Sequence, residues 1–168
     1  MDQYLAYIKA LGQELGLEIQ LSLAGAAHFA VDGHGLVIQW AEARRAIMVY
    51  AEIGSLSGWR DGEVAKTLMT ANFLFLGSKG GALSLDPSCT MVGLNYQIPV
   101  ADLTPDAFVK TIDGIVTEAE AWRTRLARIS AEQEKLVAQA QSEIESQKTE
   151  PESNESFDML NAMSMLRV

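Results

Sequence analysis

The residue types that most often carry out catalysis or bind metals are few in this sequence, and they lack suitable neighbours. The two histidines, His28 and His34, have no cysteine or acid at the spacing of a metal site. The single cysteine, Cys89, has no basic neighbour that would favour its reactive thiolate form. We therefore expect no catalytic residue and no metal ligand among these three side chains.

Serines, acids and glycines give no stronger sign of a reaction. No G-x-S-x-G elbow surrounds a serine, and Asp106 and Asp113 have the spacing of a solvated helix face. The segment GSKGG (77–81) follows a predicted helix and precedes a predicted strand, which is the reverse of the order in a phosphate-binding loop. We therefore predict that the protein is not an enzyme and that it uses no cofactor.

Charge and composition restrict the partners of the chain. Its 168 residues carry a formal net charge of -9, and 48% of them are apolar, which is enough to build a core. An acidic surface without a basic stripe repels phosphate groups and anionic lipids, so we expect neither nucleic acid nor a membrane as a partner. The sequence has no recognisable export signal, no membrane-spanning apolar run and no second cysteine for a disulfide, so we expect a cytoplasmic protein.

The first half of the chain predicts a helix followed by antiparallel strands. The helix covers residues 2–15, and alternating apolar residues predict a half-buried strand over 17–23. An Asp-Gly turn predicts a hairpin over residues 28–40. Residues 46–54, AIMVYAEIG, are apolar at nearly every position and therefore predict a central strand, so that three or four strands lie in series.

The next predicted helix, residues 61–76, has an unusual distribution of charge. Acids occur in its first turn, but no charged residue lies between Thr67 and Ser78. Helical spacing arranges its apolar residues in two stripes about 100° apart. The first stripe consists of Val64, Leu68, Ala71 and Phe75, and the second of Ala65, Met69, Phe73 and Leu76. One stripe can face the sheet, whereas the other needs a further cover, because a large exposed apolar patch marks an interaction surface.

Two short strands and a long helix complete the predicted domain. The strands are ALSLD (82–86) and MVGLNYQIPV (91–100), and Thr104 is a suitable N-cap for the helix that follows. The predicted order is α-β-β-β-α-β-β-α, an α+β fold with an antiparallel sheet flanked by helices. We place this domain at residues 1–129. Residues 130–168 predict an acidic helical extension and a flexible tail with a short apolar C-terminal segment.

Three features occur together: this order of elements, the acidic composition, and the segment LMTANFLFLGSKGGALSLDPSCTMVGLNYQIPVADLTPDAFVKTIDGIVTEAEAWRTRL. In this combination the chain resembles the class I type III secretion chaperones, the Tir chaperone family, over residues 1 to about 127. The resemblance implies a cytoplasmic homodimer that binds the N-terminal segment of secreted effectors in extended form. Such a chaperone keeps effectors soluble and secretion-competent and delivers them to the secretion apparatus, with the secretion ATPase as a further partner. The alternative is a YbjN-like regulatory protein of the same architecture without a secretion role.

The resemblance also suggests roles for apolar residues. A two-fold copy would meet the second stripe of the 61–76 helix, and the candidate dimer residues are Leu68, Met69, Asn72, Phe73 and Phe75. An effector would add a strand to a sheet edge and fill apolar grooves, and the candidate effector-binding residues, each of which is also a candidate core residue, are Leu5, Ile8, Ile19, Leu21, Phe29, Ile38, Trp40 and Met48. The tail either stays disordered or docks, on a partner or in the chain's own groove, through Phe157, Leu160, Met163 and Leu166.

Overall fold

The computed structural model describes residues 2–55, 62–88 and 90–149 of the chain. Its elements in chain order are α1 (Asp2–Leu15), β1 (Ala26–Val31), β2 (His34–Ala41), β3 (Ala46–Ser55), α2 (Gly62–Asn72), β4 (Ala82–Leu85), β5 (Met91–Pro99) and α3 (Pro105–Thr149). Short 3₁₀ turns occur at Glu42–Arg44 and Phe73–Phe75. The predicted α+β order of helices and strands is confirmed.

The five strands form one antiparallel sheet in the order β1-β2-β3-β5-β4. The β3 strand therefore lies at the centre of the sheet, as its apolar sequence predicts. Asp32 and Gly33 connect β1 to β2 with φ values of 49° and 78°, so both turn residues are left-handed. This backbone geometry matches the twist of a tight hairpin, and the hairpin prediction is also confirmed.

One face of the sheet is covered by the helices. The β3 residues that point to this face are fully buried: Ile47, Val49, Ala51 and Ile53. The residues between them are only half-buried: Met48, Tyr50 and Glu52. The helix-covered face therefore carries the main core, which also includes residues of α1, α2 and α3.

Two tyrosines attach α1 to this core. The hydroxyl of Tyr4 donates to the carbonyl oxygen of Ile38 in β2 at 2.9 Å, and that of Tyr7 donates to the carbonyl oxygen of Leu103 at 2.8 Å. The rings of Tyr7 and Phe108 lie 5.3 Å apart, so α1 also contacts α3. Burial with satisfied hydroxyl groups fixes the position of α1 on the sheet.

The last helix begins as the sequence predicts. Oγ1 of Thr104 accepts a hydrogen bond from the amide of Ala107 at 3.2 Å, which is an N-cap contact. One apolar stripe of α3, with residues at steps of three and four, is buried: Phe108, Ile112, Ile115, Ala119, Trp122 and Leu126. The chain forms two compact units, Met1–Ser130 and Ala131–Val168. Within the described parts of the chain, no helix combines the length and apolar character that a membrane span requires.

Residues 17–23 do not form the predicted strand. The amide of Leu17 donates to the carbonyl oxygen of Gly12 at 2.9 Å, which holds the start of this segment against the end of α1. A turn closes over Ser22–Gly25, and only Leu21 forms a bridge, to Ala27 of β1. Hydrogen bonds at both ends therefore prevent the segment from extending into a ladder, although its residues alternate in polarity.

The second helix ends earlier than its apolar periodicity predicts. Leu74 and Phe75 have φ values of 51° and 57°, and these left-handed conformations interrupt the helix after Asn72. Gly77 lies against Ala71, where a β-carbon at Gly77 would come within 2.8 Å of the Ala71 Cα atom. The chain therefore reverses sharply, and Phe75 leaves the core-facing stripe to which the sequence assigned it.

Candidate binding surfaces

An apolar groove lies between α1 and the segment that follows it. We call this groove, which encloses about 490 Å³, the α1 groove. Gly12 allows the two walls to meet at its base, because a β-carbon there would come within 2.6 Å of the carbonyl oxygen of Leu17. The lining residues are Leu5, Ile8, Lys9, Gly12, Gln13, Gly16, Leu17, Glu18, Ile19 and Leu21. The groove is apolar along its walls and carries charged side chains of both signs.

Four of the eight candidate effector-binding residues line the α1 groove: Leu5, Ile8, Ile19 and Leu21. The other four lie elsewhere. Ile38 is fully buried in the core, and Phe29 and Trp40 pack against that core. The ring of Trp40 lies 6.3 Å from that of Tyr4, beneath α1. Met48 alternates with core residues along β3 and therefore lies on the opposite face of the sheet.

The α1 groove continues to an edge of the sheet. Leu21 lines the groove and also pairs with Ala27, near the start of β1. In the described structure β1 is the outer strand on this side, and its later residues pair only with β2. An edge strand presents main-chain donors and acceptors that are ready for another strand. An extended peptide could therefore lie along β1 and place side chains in the groove.

A second groove, of about 380 Å³, lies where α1, the β1–β2 turn and α3 meet. Its apolar lining includes Leu11, Val31 and Val109, and three acids also line it: Glu14, Asp32 and Asp113. Sequence reasoning missed this groove because its residues come from three elements that are distant along the chain. The helical and strand periodicities marked the apolar residues but not their common location.

Exposed apolar side chains form a patch at the end of α2. We call it the α2 patch, and its members, which are 53–76% exposed, are Met69, Phe73, Leu74, Phe75 and Leu76. Three of the five candidate dimer residues belong to it. Leu68 is instead buried in the core, and the side-chain amide of Asn72 bonds both the amide and the carbonyl oxygen of Leu83, each at 2.8 Å. Asn72 therefore attaches α2 to the outer edge of β4.

The polar cluster around His34 joins strands to α3. Nε2 of the buried His34 lies 2.9 Å from Oε2 of Glu120, and Nδ1 lies 2.9 Å from Nη2 of Arg123. Arg123 also donates to the carbonyl oxygens of Gly33 and Ile53, at 2.8 and 3.0 Å. These bonds connect the hairpin turn and β3 to the last helix, and the burial of His34 leaves it no access to a substrate. In the described residues no three His, Cys, Asp or Glu side chains form a group suited to a metal ion.

The carboxylate of Asp86 organises the turn between β4 and β5. It accepts hydrogen bonds from the hydroxyl of Ser88 and from the amides of Met91 and Thr90, the last two at 2.7 Å. The Ser88 hydroxyl, followed by the Met91 amide, lowers the pKa of Asp86 to about 2. A carboxylate held in its charged form by the adjacent turn has a structural role. Cys89 and the four candidate docking residues of the tail lie outside the described residues.

Comparison with protein families gives a match over most of the chain. Residues 6–123 match the Tir chaperone protein (CesT) family, which is well over half of the chain. The match covers the second groove, the α2 patch and every lining residue of the α1 groove except Leu5, and it ends before the exposed part of α3. No curated relative matches the sequence.

Several solved structures share the fold. The chain is 21% identical to a chain of the ExsC-ExsE complex, with a TM-score of 0.63, over 70% of this chain and 89% of that one. For the HopA1-SchA chaperone-effector complex the identity is 15%, the TM-score 0.60 and the coverage 72% and 93%. For the Yersinia pestis type III secretion chaperone SycH, solved with a fragment of YscM2, the identity is 18% and the TM-score 0.54, over 69% of this chain and 96% of that one. Likeness at these identities establishes the fold.

Proposed function

The chain belongs to the Tir chaperone protein (CesT) family, and on that premise we propose that it is a cytoplasmic chaperone of type III secreted effectors. It binds the N-terminal segment of one or more effectors in extended form and keeps them soluble and secretion-competent. It then delivers them to the secretion apparatus, with the secretion ATPase as the receiving partner. Two of the proteins with this fold were solved as a chaperone-effector complex and as a type III secretion chaperone with a bound fragment, which supports the proposal.

The continuity between the α1 groove and the outer edge of β1 carries this proposal. Main-chain bonds to an edge strand give affinity for any extended segment, whereas pockets that accept alternate side chains select its sequence and register. Leu21 belongs to the groove and pairs with the start of β1, so a single extended segment can use both surfaces. Such binding forms and breaks no covalent bond, which agrees with a site whose apolar residues are leucine and isoleucine.

The proposed homodimer uses the α2 patch. Two copies that each carry a net charge of -9 repel one another, so the surface on which they meet has to be free of acids. No charge occurs between Thr67 and Ser78, and five large apolar side chains of this stretch are exposed. A two-fold axis would place each α2 patch against its copy and remove these side chains from water.

Charge substitutions in the α1 groove test effector binding. The probe is an N-terminal fragment of a protein that copurifies with the tagged chaperone and is identified by mass spectrometry. Leu5→Asp and Leu17→Asp each place a carboxylate in the groove at a partly exposed position, and we expect each to weaken fragment binding at least about 10-fold in calorimetric titration.

Leu23→Asp is the matched control, since Leu23 is fully exposed and lies outside the groove. It should bind the fragment as tightly as the unmodified protein does. Equal affinities for all three variants would refute the groove as the binding site. Binding through a folded domain of the partner, with its N-terminal segment dispensable, would refute the proposed function itself.

A further inference from the structure

The segment between α2 and β4 has a strained backbone. Leu74, Phe75 and Lys79 have φ values of 51°, 57° and 47°, and none of them is glycine. Left-handed residues with a β-carbon are unfavourable, and such conformations persist only where surrounding contacts hold them. Three of these residues within six positions indicate that the rest of the domain fixes residues 73–81.

Contacts from β5 and α3 hold this segment. The indole Nε1 of Trp122 donates to the carbonyl oxygen of Gly77 at 3.1 Å, and the hydroxyl of Tyr96 donates to the carbonyl oxygen of Ser78 at 2.7 Å. Nζ of Lys79 lies 2.5 Å from Oε2 of Glu118. These contacts lie immediately after the α2 patch, so they determine where the chain leaves it.

Glu118 is an unusual residue for its location. It is 5% exposed on the side of α3 that otherwise carries Ile115, Ala119 and Trp122. A buried carboxylate is costly unless it is paired, and Lys79, which is itself mostly exposed, reaches it from the segment. Burial and the nearby charge of Glu118 raise the pKa of the Tyr96 hydroxyl, which keeps that donor protonated beside Ser78. An apolar residue at position 118 would pack in the core without the cost of burying a charge. The charge of Glu118 is therefore suited to hold Lys79 and the segment around it in place.

The sequence indicates which conformation residues 73–76 would adopt without these contacts. Phe75 continues the Val64, Leu68 and Ala71 stripe at helical spacing, so a regular helix through residue 76 would direct its ring toward the core. In the structure, Phe75 is instead 53% exposed within the α2 patch. The contacts from α3 thus oppose a local helical preference and keep the ring at the surface.

We propose that Lys79 and Glu118 are positioning residues for the α2 patch, whose ion pair holds residues 73–81 in the left-handed arrangement and thereby sets the affinity of the patch for a second copy of the chain. This inference rests on the proposed homodimer. It adds that a charged pair outside the apolar contact controls how strongly the two copies associate.

Replacement of Lys79 tests the inference with little risk to the fold, because that side chain is mostly exposed. We expect Lys79→Met to raise the dimer dissociation constant at least about 10-fold in sedimentation equilibrium, whereas Lys79→Arg, which keeps the ion pair, should leave it within about twofold. Lys135→Met makes the same change of charge on the exposed part of α3 and should leave the constant unchanged.

Hydrogen exchange provides the second readout. The amides of Gly80 and Gly81 donate to the carbonyl oxygens of Phe75 and Ser78 within the segment. In Lys79→Met their exchange should accelerate at least about 10-fold, while that of β3 stays constant, because only the segment relaxes. This measurement applies to a monomer as well as to a dimer.

The outcomes separate the two proposals. If Phe73→Glu leaves the dimer intact, the α2 patch is not the dimer surface and the proposed homodimer contact fails. If Phe73→Glu dissociates the dimer but Lys79→Met alters neither its dissociation constant nor the exchange of residues 73–81, the positioning role is refuted and the homodimer stands.

Discussion

At the residue scale, Tyr4 is fully buried, and its hydroxyl donates a hydrogen bond to a carbonyl oxygen of β2. Burial raises the pKa of this hydroxyl to about 12 from its ordinary value of 10.0. The fold therefore favours the protonated phenol. The contribution of the Tyr4 hydroxyl to the free energy of unfolding is complete below pH 10 and is lost as the pH rises from 10 toward 12.

We accordingly expect Tyr4→Phe to change the alkaline behaviour of the protein. The free energy of unfolding should fall at pH 7, because the carbonyl oxygen of Ile38 loses a donor, and its further decline above pH 10 should become shallower. Urea unfolding of both proteins between pH 7 and 11 measures this difference, and the lysines titrate equally in both. Parallel stability curves above pH 10 would show that Tyr4 does not titrate with unfolding.

At the scale of elements, one side of α2 packs in the core and another side is exposed. Val64, Leu68 and Ala71 enter the core, and Asn72 bonds the outer edge of β4. The edge is thereby covered at Leu83, which restricts strand addition at this side of the sheet. Met69 and the residues just after Asn72 form the α2 patch, so the same helix supports the core and contributes to an exposed apolar surface.

A charge in the α2 patch should dissociate the proposed homodimer. Phe73→Glu and Met69→Glu each place a carboxylate against its own copy across a two-fold axis, and we expect monomers by sedimentation analysis. Both side chains are largely exposed in the single chain, so the unfolding midpoint of the monomer should change little. Leu23→Glu, which adds the same charge at an exposed leucine elsewhere, should remain dimeric. Dimers in all three variants would rule out the patch.

At the scale of the whole molecule, the chain extends past the region that matches its family. The match ends at residue 123, whereas α3 continues to Thr149 and its described side chains from Ala131 onward are exposed. The exposed apolar residues of this part are Leu136, Val137 and Ile144. Among the described residues, the last one that packs with the core is Ile129.

We expect removal of residues 149–168 to leave folding and the proposed dimerisation unchanged, because no described core residue follows Ile129. Circular dichroism and sedimentation measure both properties, and loss of either would place the domain boundary later in the chain. A tethered apolar segment acts at high effective concentration, so the same variant also tests the docking hypothesis for the tail. Tighter binding of the effector fragment would indicate that the tail occupies the chaperone's own groove, and unchanged binding would indicate another partner.

The order of elements could be predicted from the sequence because it depends on local physics. The Asp-Gly pair fixes the hairpin through its left-handed backbone, the double-sided apolar run places β3 at the centre, and Thr104 caps α3. Each signal lies within a few residues of the structure that it specifies. The lack of charge between Thr67 and Ser78 likewise predicted an apolar surface, and the structure exposes one there.

Tertiary structure alone decided which apolar residues are exposed and where two elements end. Leu68 and Ile38 are as apolar as Met69 and Leu5, and only contacts with distant elements make the first two core residues. Hydrogen bonds at both ends of residues 17–23 prevent this segment from forming a strand. Contacts of the following segment with α3 and β5 end α2 one turn earlier than its periodicity predicts. These contacts join residues more than forty positions apart in the case of Gly77 and Trp122, so no periodicity could have revealed them.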